Sequence, residues 1–337
     1  MSTHPHGRVD FAVSVALESW PLKVPFQITG HTFTEITTVV VTLRDGDIVG
    51  RGEAAGVYYR GDVPASIAAQ IEAVRDRVRP GMDQESLRRL LPWSGARNAI
   101  DCAFWELESR RAGRPVWQLA GLDSPRPLLT TYTLGADEPA RMAELARSFA
   151  DARALKLKLT GELVDAERVR AVRDARPEVW LAVDANQGFT RASLDKLMPV
   201  LVESRVELIE QPFPVGQEVA LSALASPIPI AADESVQDLE DLRRLAGCMN
   251  VVNIKLDKCG GLTSGLAIAR EARQLGLKVM VGNMGGTSLA MAPAFILGQL
   301  CDVVDLDGPI LLASDRTPVV TYRNGEIFCA PDVWGHA

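Results

Sequence analysis

Histidine and cysteine are scarce in this chain of 337 residues, which has four of the first and five of the second. Cys102, Cys248, Cys259, Cys301 and Cys329 are odd in number, far apart and paired in no CxxC motif. That pattern argues against a zinc site or a disulfide framework and for reduced thiols in a cytoplasmic protein. No uninterrupted apolar run reaches the roughly 18 residues that a membrane span needs. The first residues, MSTHPHGRVDF, lack the basic start and apolar centre of a secretory leader. Basic residues are also outnumbered, 36 Lys and Arg against 43 Asp and Glu, for a formal charge of −7. Nucleic acid, which requires a basic face, is therefore not an expected partner. There is no GxGxxG turn of the dinucleotide-binding kind, no internal repeat and no long linker.

What is present has two grammars. Residues 8–60 read as strands: TEITTVVVTLRDGDIVGRGEA is β-branched, and its Asp45-Gly46 pair is a hairpin signal. Helical patterns follow over about 62–79, entered through Pro64, and over about 94–112, stopped by Gly113. From Leu128 short apolar runs alternate with amphipathic helical segments: LLTTYTL, ALKLKLT, VWLAVDAN, VELIEQP, PIPIAADE, VVNIKLD, KVMVGNM and DVVDLD. Eight such strands predict an α/β parallel barrel rather than an open sheet. The expected division is an α+β unit over 1–125, a barrel over 126–307, and a tail over 308–337 that returns to the first unit.

Active sites of such barrels form at the C-terminal ends of the strands. Those ends carry Lys156 and Lys158, Asp184, Glu210, Asp233, Lys255, and Asp305 with Asp307. A single strand-end charge is ordinarily a solvated loop residue; charges on strands two to six and eight together are not. Three unpaired carboxylates on consecutive strands would raise one another's pKa. A hard divalent cation, Mg²⁺ or in second place Mn²⁺, removes that repulsion, and the absence of His and Cys there agrees. The competing explanation is a salt-bridge network with the lysines. Lys156 and Lys158 share a strand face, so each ammonium should lower the other's pKa towards that of a useful base. Lys255, on the sixth strand, faces them across the barrel.

In order and spacing, KLK (156–158), DAN (184–186), EQP (210–212), ADES (232–235) and NIKLDKCGG (253–261) resemble the enolase superfamily, its muconate-lactonising subgroup in particular. The segment AIDCAFWELESRRAGRPVWQLAG (99–121) is similar to the capping domain of the same family. The resemblance implies a modified (β/α)7β barrel capped by an α+β domain, and an isomerase. Asp184, Glu210 and Asp233 then match Mg²⁺ ligands, Lys158 and Lys255 the two acid/base lysines, and Lys156 a helper lysine. Asn186 and Glu234 would stand behind the metal ligands. The implied reaction is inversion of the carbon beside a carboxylate by two-lysine proton transfer through an enediolate.

DLDGP (305–309) resembles the paired aspartates with which dipeptide epimerases hold the substrate's α-ammonium, which favours an L-Ala-D/L-Glu-like substrate. Strand alternation puts Asp305 and Asp307 on one face. The stretch GNMGGTSLAMAPA (282–294), with Met284, lacks a Glu-Ser found in many dipeptide epimerases, so an N-acylamino-acid racemase, for example on N-acyl-glutamate, is the alternative. o-Succinylbenzoate synthase or a cycloisomerase shares the scaffold. Substrate choice is expected from the capping loops, where Lys23 or Arg60 would meet an acidic side chain and Tyr58 or Tyr59 an apolar one. The expected partners are a small-molecule substrate and further copies of the chain.

Overall fold

Three long strands open the described chain. β1 (Phe11–Ile28) pairs antiparallel with β2 (His31–Asp45), and β2 with β3 (Ile48–Ala54). The turn between β2 and β3 is the expected one, with Gly46 at φ 60°, a conformation glycine adopts without a Cβ clash. The computed structural model describes residues 11–91, 94–222 and 226–336. Residues 1–10, which carry the leader reading and the start of the first expected strand, lie outside them.

One face of this sheet is covered by the helix Ser94–Ala112, burying Val39, Val41 and Leu43 with Ala99, Ala103 and Leu107. The approach is backbone-close. A Cβ on Gly52 would stand 2.0 Å from the carbonyl oxygen of Ala99, and one on Gly50 2.0 Å from that of Ala103. The helix expected over 62–79 runs as α-helix from Pro64 to Val74, where Ile67 and Ile71 face the core, and tightens to a 3₁₀ turn at Arg75–Arg77.

β4 (Leu128–Leu129) precedes an eight-stranded sheet of β5 (Tyr132–Leu134), β6 (Ala154–Lys158), β7 (Trp180–Asp184), β8 (Leu208–Glu210), β9 (Ile230–Ala232), β10 (Val251–Lys255), β11 (Lys278–Gly282) and β12 (Val303–Val304). Neighbours follow chain order and all pair parallel. Thr131 N–H donates to the Val304 carbonyl at 2.9 Å, tying the first edge to the last. The architecture is the α/β barrel with an antiparallel cap. One expectation needs correcting: LLTTYTL is not a single strand. Thr130 and Thr131 interrupt it, Thr130 Oγ accepting from Leu306 N–H at 2.9 Å, so β4 leaves the ring.

β4 pairs instead with β14 (Glu326–Phe328), whose partner is β13 (Thr321–Arg323). Asn324 and Gly325 between them both have positive φ, 52° and 75°, the geometry of a tight hairpin turn. The tail thus meets the barrel first. It then reaches the first unit, where Trp334 Nε1 donates to the Arg51 carbonyl (2.9 Å) and Val116 N–H to the Gly335 carbonyl (2.8 Å). All five cysteines are unpaired. Among the described residues no helix is long and apolar enough to cross a membrane.

Replacing Gly52 by alanine forces the 94–112 helix away from β3. Overpacking of this kind costs about 1–3 kcal/mol, so the variant is expected to unfold at a lower temperature in calorimetry. An unchanged midpoint would show that the helix can shift freely.

Candidate active site

Strand register assembles the charged residues. Lys158 on β6 lies opposite Asp184 on β7, and Asp184 opposite Glu210 on β8; Asp233 follows the end of β9. Lys255 ends β10, four strands from Lys158 in a ring of eight, which puts the two amines on opposite walls with the three carboxylates between them. Gly282 beside Lys255 leaves room for the lysine stem, since a Cβ there would come within 3.0 Å of Lys255 Cε.

All of these groups are buried. Lys158 Nζ is 2.6 Å from Asp184 Oδ2 and Lys255 Nζ 2.7 Å from Asp233 Oδ2. Lys156 Nζ contacts Asp305 and is 3.3 Å from Glu210 Oε2 and 3.5 Å from Asp184 Oδ2. Among the described residues the carboxylates form no ready-made three-ligand cage, because each is drawn to an ammonium. For Lys156 the expected lowering of the pKa is overturned. Burial acts to lower the Lys156 pKa, but Asp305, Glu210 and Asp184 outweigh it and hold the ammonium well above the usual lysine range. Lys255 is likewise raised, against burial, chiefly by Asp233.

Compensation is incomplete. Lys156, Lys158, Lys255 and Lys258 face six buried carboxyl groups: Asp184, Glu210, Asp233, Glu234, Asp305 and Asp307. Two formal negative charges are in excess, the charge of one divalent cation. Burial and the neighbouring Asp184 push Glu210 up to about 7, and burial with Asp233 pushes Glu234 up to about 8. Oxygen donors without histidine or cysteine, short of positive charge, fit a hard cation such as Mg²⁺.

A cavity of about 100 Å³ lies above this cluster. Lys156, Lys158, Lys255, Asp233, Asp305 and Asp307 line it, as do Asn186, Glu234, Tyr58, Tyr59 and Met284. Four expected residues do not: Asp184 and Glu210, which are fully buried, and Lys23 and Arg60. Lys23 is exposed and donates to the Ile310 carbonyl at 2.8 Å, while Arg60 is exposed and not among the lining residues. Asp305 and Asp307 do meet, though not by strand alternation, because β12 ends at Val304. Thr133 unites them: its N–H donates to Asp307 Oδ2 at 2.6 Å and its hydroxyl to Asp305 Oδ1 at 3.4 Å.

Several participants escaped the sequence reading. Asn253 Nδ2 donates to Glu210 Oε1 at 2.8 Å, and its place two residues before Lys255 on a strand was an available signal. Gln211 Oε1 accepts from Asp233 N–H (2.9 Å) and Ser235 N–H (3.1 Å). Lys258 Nζ, buried, is 2.6 Å from Asp233 Oδ1 and donates to the carbonyls of Val236 and Asn253. Asn186, Gln187 and Gln211 all have positive φ, backbone strain of a kind that clusters at functional sites.

Carboxylates opposed to lysines at the mouth of a parallel barrel define an acid–base site in the place where barrel enzymes carry theirs. Residues 141–327 match the family described as enolase C-terminal domain-like, and residues 10–121 match the mandelate racemase / muconate lactonizing enzyme N-terminal domain. The chain belongs to this family. It is 39% identical to an L-Ala-D/L-Glu epimerase of Escherichia coli over 94% of its own length and 98% of the relative's. It is 38% identical to an N-acetyl-D-glutamate racemase of a Pseudoalteromonas species, over 89% and 95%. An Agrobacterium tumefaciens enolase family member with homology to dipeptide epimerases, solved with sodium and L-Ala-L-Glu, superposes with a TM-score of 0.93 at 38% identity, covering 97% of this chain and all of that one. A dipeptide epimerase of Enterococcus faecalis, complexed with Mg and L-Leu-L-Tyr, gives 0.87 at 29% identity, over 94% and 96%.

The Tyr58–Tyr59 segment is pinned from the barrel. Buried Asp257, two residues past Lys255, accepts from Ala55 N–H (2.9 Å) and Gly56 N–H (2.8 Å). Burial pushes its carboxyl up to about 7, whereas an unfolded aspartate ionises near pH 4, so the folded chain holds an extra proton in between. Stability from this group therefore falls as pH rises from about 4 to 7. Asp257→Asn keeps the accepting oxygen and removes the titration. Its thermal midpoint is expected to decline less than the wild type's across that window. Parallel declines in the two proteins would reject the assignment.

Proposed function

We propose that the protein is a Mg²⁺-dependent epimerase that inverts the α-carbon beside the carboxylate of a dipeptide. The observation that carries this is the placement of Lys158 and Lys255 on opposite walls, with Asp184, Glu210 and Asp233 between. These three carboxylates would hold the cation, whose charge makes the α-proton of a carboxylate-bearing substrate acidic enough to remove. Lys158 and Lys255 would lose their partners if those oxygens held the cation, and a buried ammonium without a counter-charge gives up its proton more readily. One lysine, neutral, takes the α-proton; the other, charged, returns a proton on the opposite face, and the centre inverts. Lys156 presents its ammonium to the negative charge that develops on the substrate carboxylate.

Asp305 and Asp307 take the substrate's free α-ammonium. Their crowding supports this role, since burial and Asp305 push Asp307 up to about 6, and a cation between them relieves it. Asn186, which donates to Glu234 Oε1 at 3.2 Å, supports the ligand carboxylates from behind, and Tyr58 and Met284 form part of the wall. The N-acetyl-D-glutamate racemase relative favours a second reading, racemisation of N-acylamino acids. Such a substrate brings no ammonium to the aspartate pair.

In D₂O with Mg²⁺, the wild type is expected to incorporate one deuterium at the α-carbon of dipeptides with inversion. Lys158→Ala and Lys255→Ala should each lose epimerisation by about 10²–10⁴-fold, while each still exchanges the α-hydrogen of one hand only. Exchange of both hands by either variant would remove the two-lysine scheme. Faster turnover of N-acetyl-glutamate than of any free-amino dipeptide would favour the second reading.

A further inference from the structure

The roof of the cavity has a chemistry of its own. From β1 and β2, Leu22, Phe26, Phe33 and Ile36 face the cavity, and Met284 lines it from the barrel side. Each is only half-buried. Among the described residues, none of the five belongs to the hydrophobic clusters that hold the barrel and cap together. Apolar surface that lines a cavity without being absorbed into a core is surface for a ligand to cover.

This surface is held over the barrel mouth. The Thr29 hydroxyl at the β1–β2 turn lies 3.0 Å from the carbonyls of both Leu159 and Ala185, and Ala136 N–H donates to the Gln27 carbonyl at 2.9 Å. The electrostatics point the same way. Among the described residues, the cations lining the cavity are Lys156, Lys158 and Lys255, each engaged by a carboxylate at the barrel floor. Asp233, Glu234, Asp305 and Asp307 line the same space. Among the described residues no cation lines the roof itself, so an acidic side chain there would meet only carbon.

We propose that the residue epimerised carries an apolar side chain, aliphatic or aromatic, packed against Phe26, Phe33, Ile36 and Met284. This rests on the dipeptide reading above and names its substrate class. It differs from what the acidic-dipeptide relatives are named for.

The test compares L-Ala-L-Leu, L-Ala-L-Phe and L-Ala-L-Met with L-Ala-L-Glu, using the Mg²⁺-loaded wild type and following deuterium uptake at the α-carbon. Wild-type kcat/KM is expected to favour the best apolar dipeptide over the glutamate one by at least about tenfold. Phe33→Arg, which sets a cation into the roof, is expected to reverse or abolish that preference. Equal or faster turnover of L-Ala-L-Glu by the wild type overturns the proposal and leaves the epimerase reading standing. An unaltered preference in a folded Phe33→Arg protein overturns the assignment to the roof. No uptake from any dipeptide removes the epimerase reading and this proposal with it.

Discussion

Buried negative charge is the constraint around which this molecule is built. Six carboxyl groups converge at the mouth of the barrel, out of water, and four lysines answer them. In a medium of low dielectric such groups are tolerated only when paired or hydrogen-bonded. Burial, with neighbouring carboxylates behind it, raises Glu210, Glu234 and Asp307 in pKa, while Asp233, beside Lys255 and Lys258, falls below the usual range although burial opposes it. The imbalance explains the density of supporting amides. Asn253 holds Glu210, and the N–H of Asn186 donates to Asp184 Oδ1 at 2.9 Å. A site of this kind stores its reactivity as unmet electrostatic demand.

The same device joins the cap to the barrel. Glu53 on β3, fully buried, accepts from Thr287 N–H at 2.7 Å and is held by Arg316 of the tail at 2.9 Å. Asp101 on the 94–112 helix accepts from Thr263 N–H at 3.0 Å, and Asp257 grips the backbone at residues 55–56 from the other direction. Each is a carboxylate from one unit satisfied largely by donors of the other, so separating the units would strand it unpaired. Thr287 follows the segment that bears Met284, and Ala55-Gly56 precedes Tyr58. The clasps therefore fix the walls of the cavity as well as the interface.

Much of this was legible in the sequence because barrel chemistry is written at strand ends. Short apolar runs closing on Lys158, Asp184, Glu210 and Lys255 have one geometric outcome once the strands lie parallel and in register. Legibility failed where a residue's role depends on chain from elsewhere. Lys23 looked like an anion receptor and spends its ammonium on Ile310, brought to it by the tail. Lys156 looked like a base lowered by the lysine two residues on, yet Asp305, Glu210 and Asp184 arrive from other strands and raise it instead. The LLTTYTL run looked like one strand until Thr130 bonded to Leu306 beyond β12 and Thr131 to Val304 at its end.

The local patterns of residues by themselves determined the alternation of strands and helices, the identity of the charged set and its order around the ring, since these follow from period-two and period-3.6 patterning along the chain. Tertiary structure alone decided which ammonium meets which carboxylate, and which apolar side chains of the cap remain uncovered above them. Those outcomes depend on distances between segments far apart in sequence. Charge interactions fall with separation and with the polarity of the medium, and neither can be read from a neighbour along the chain.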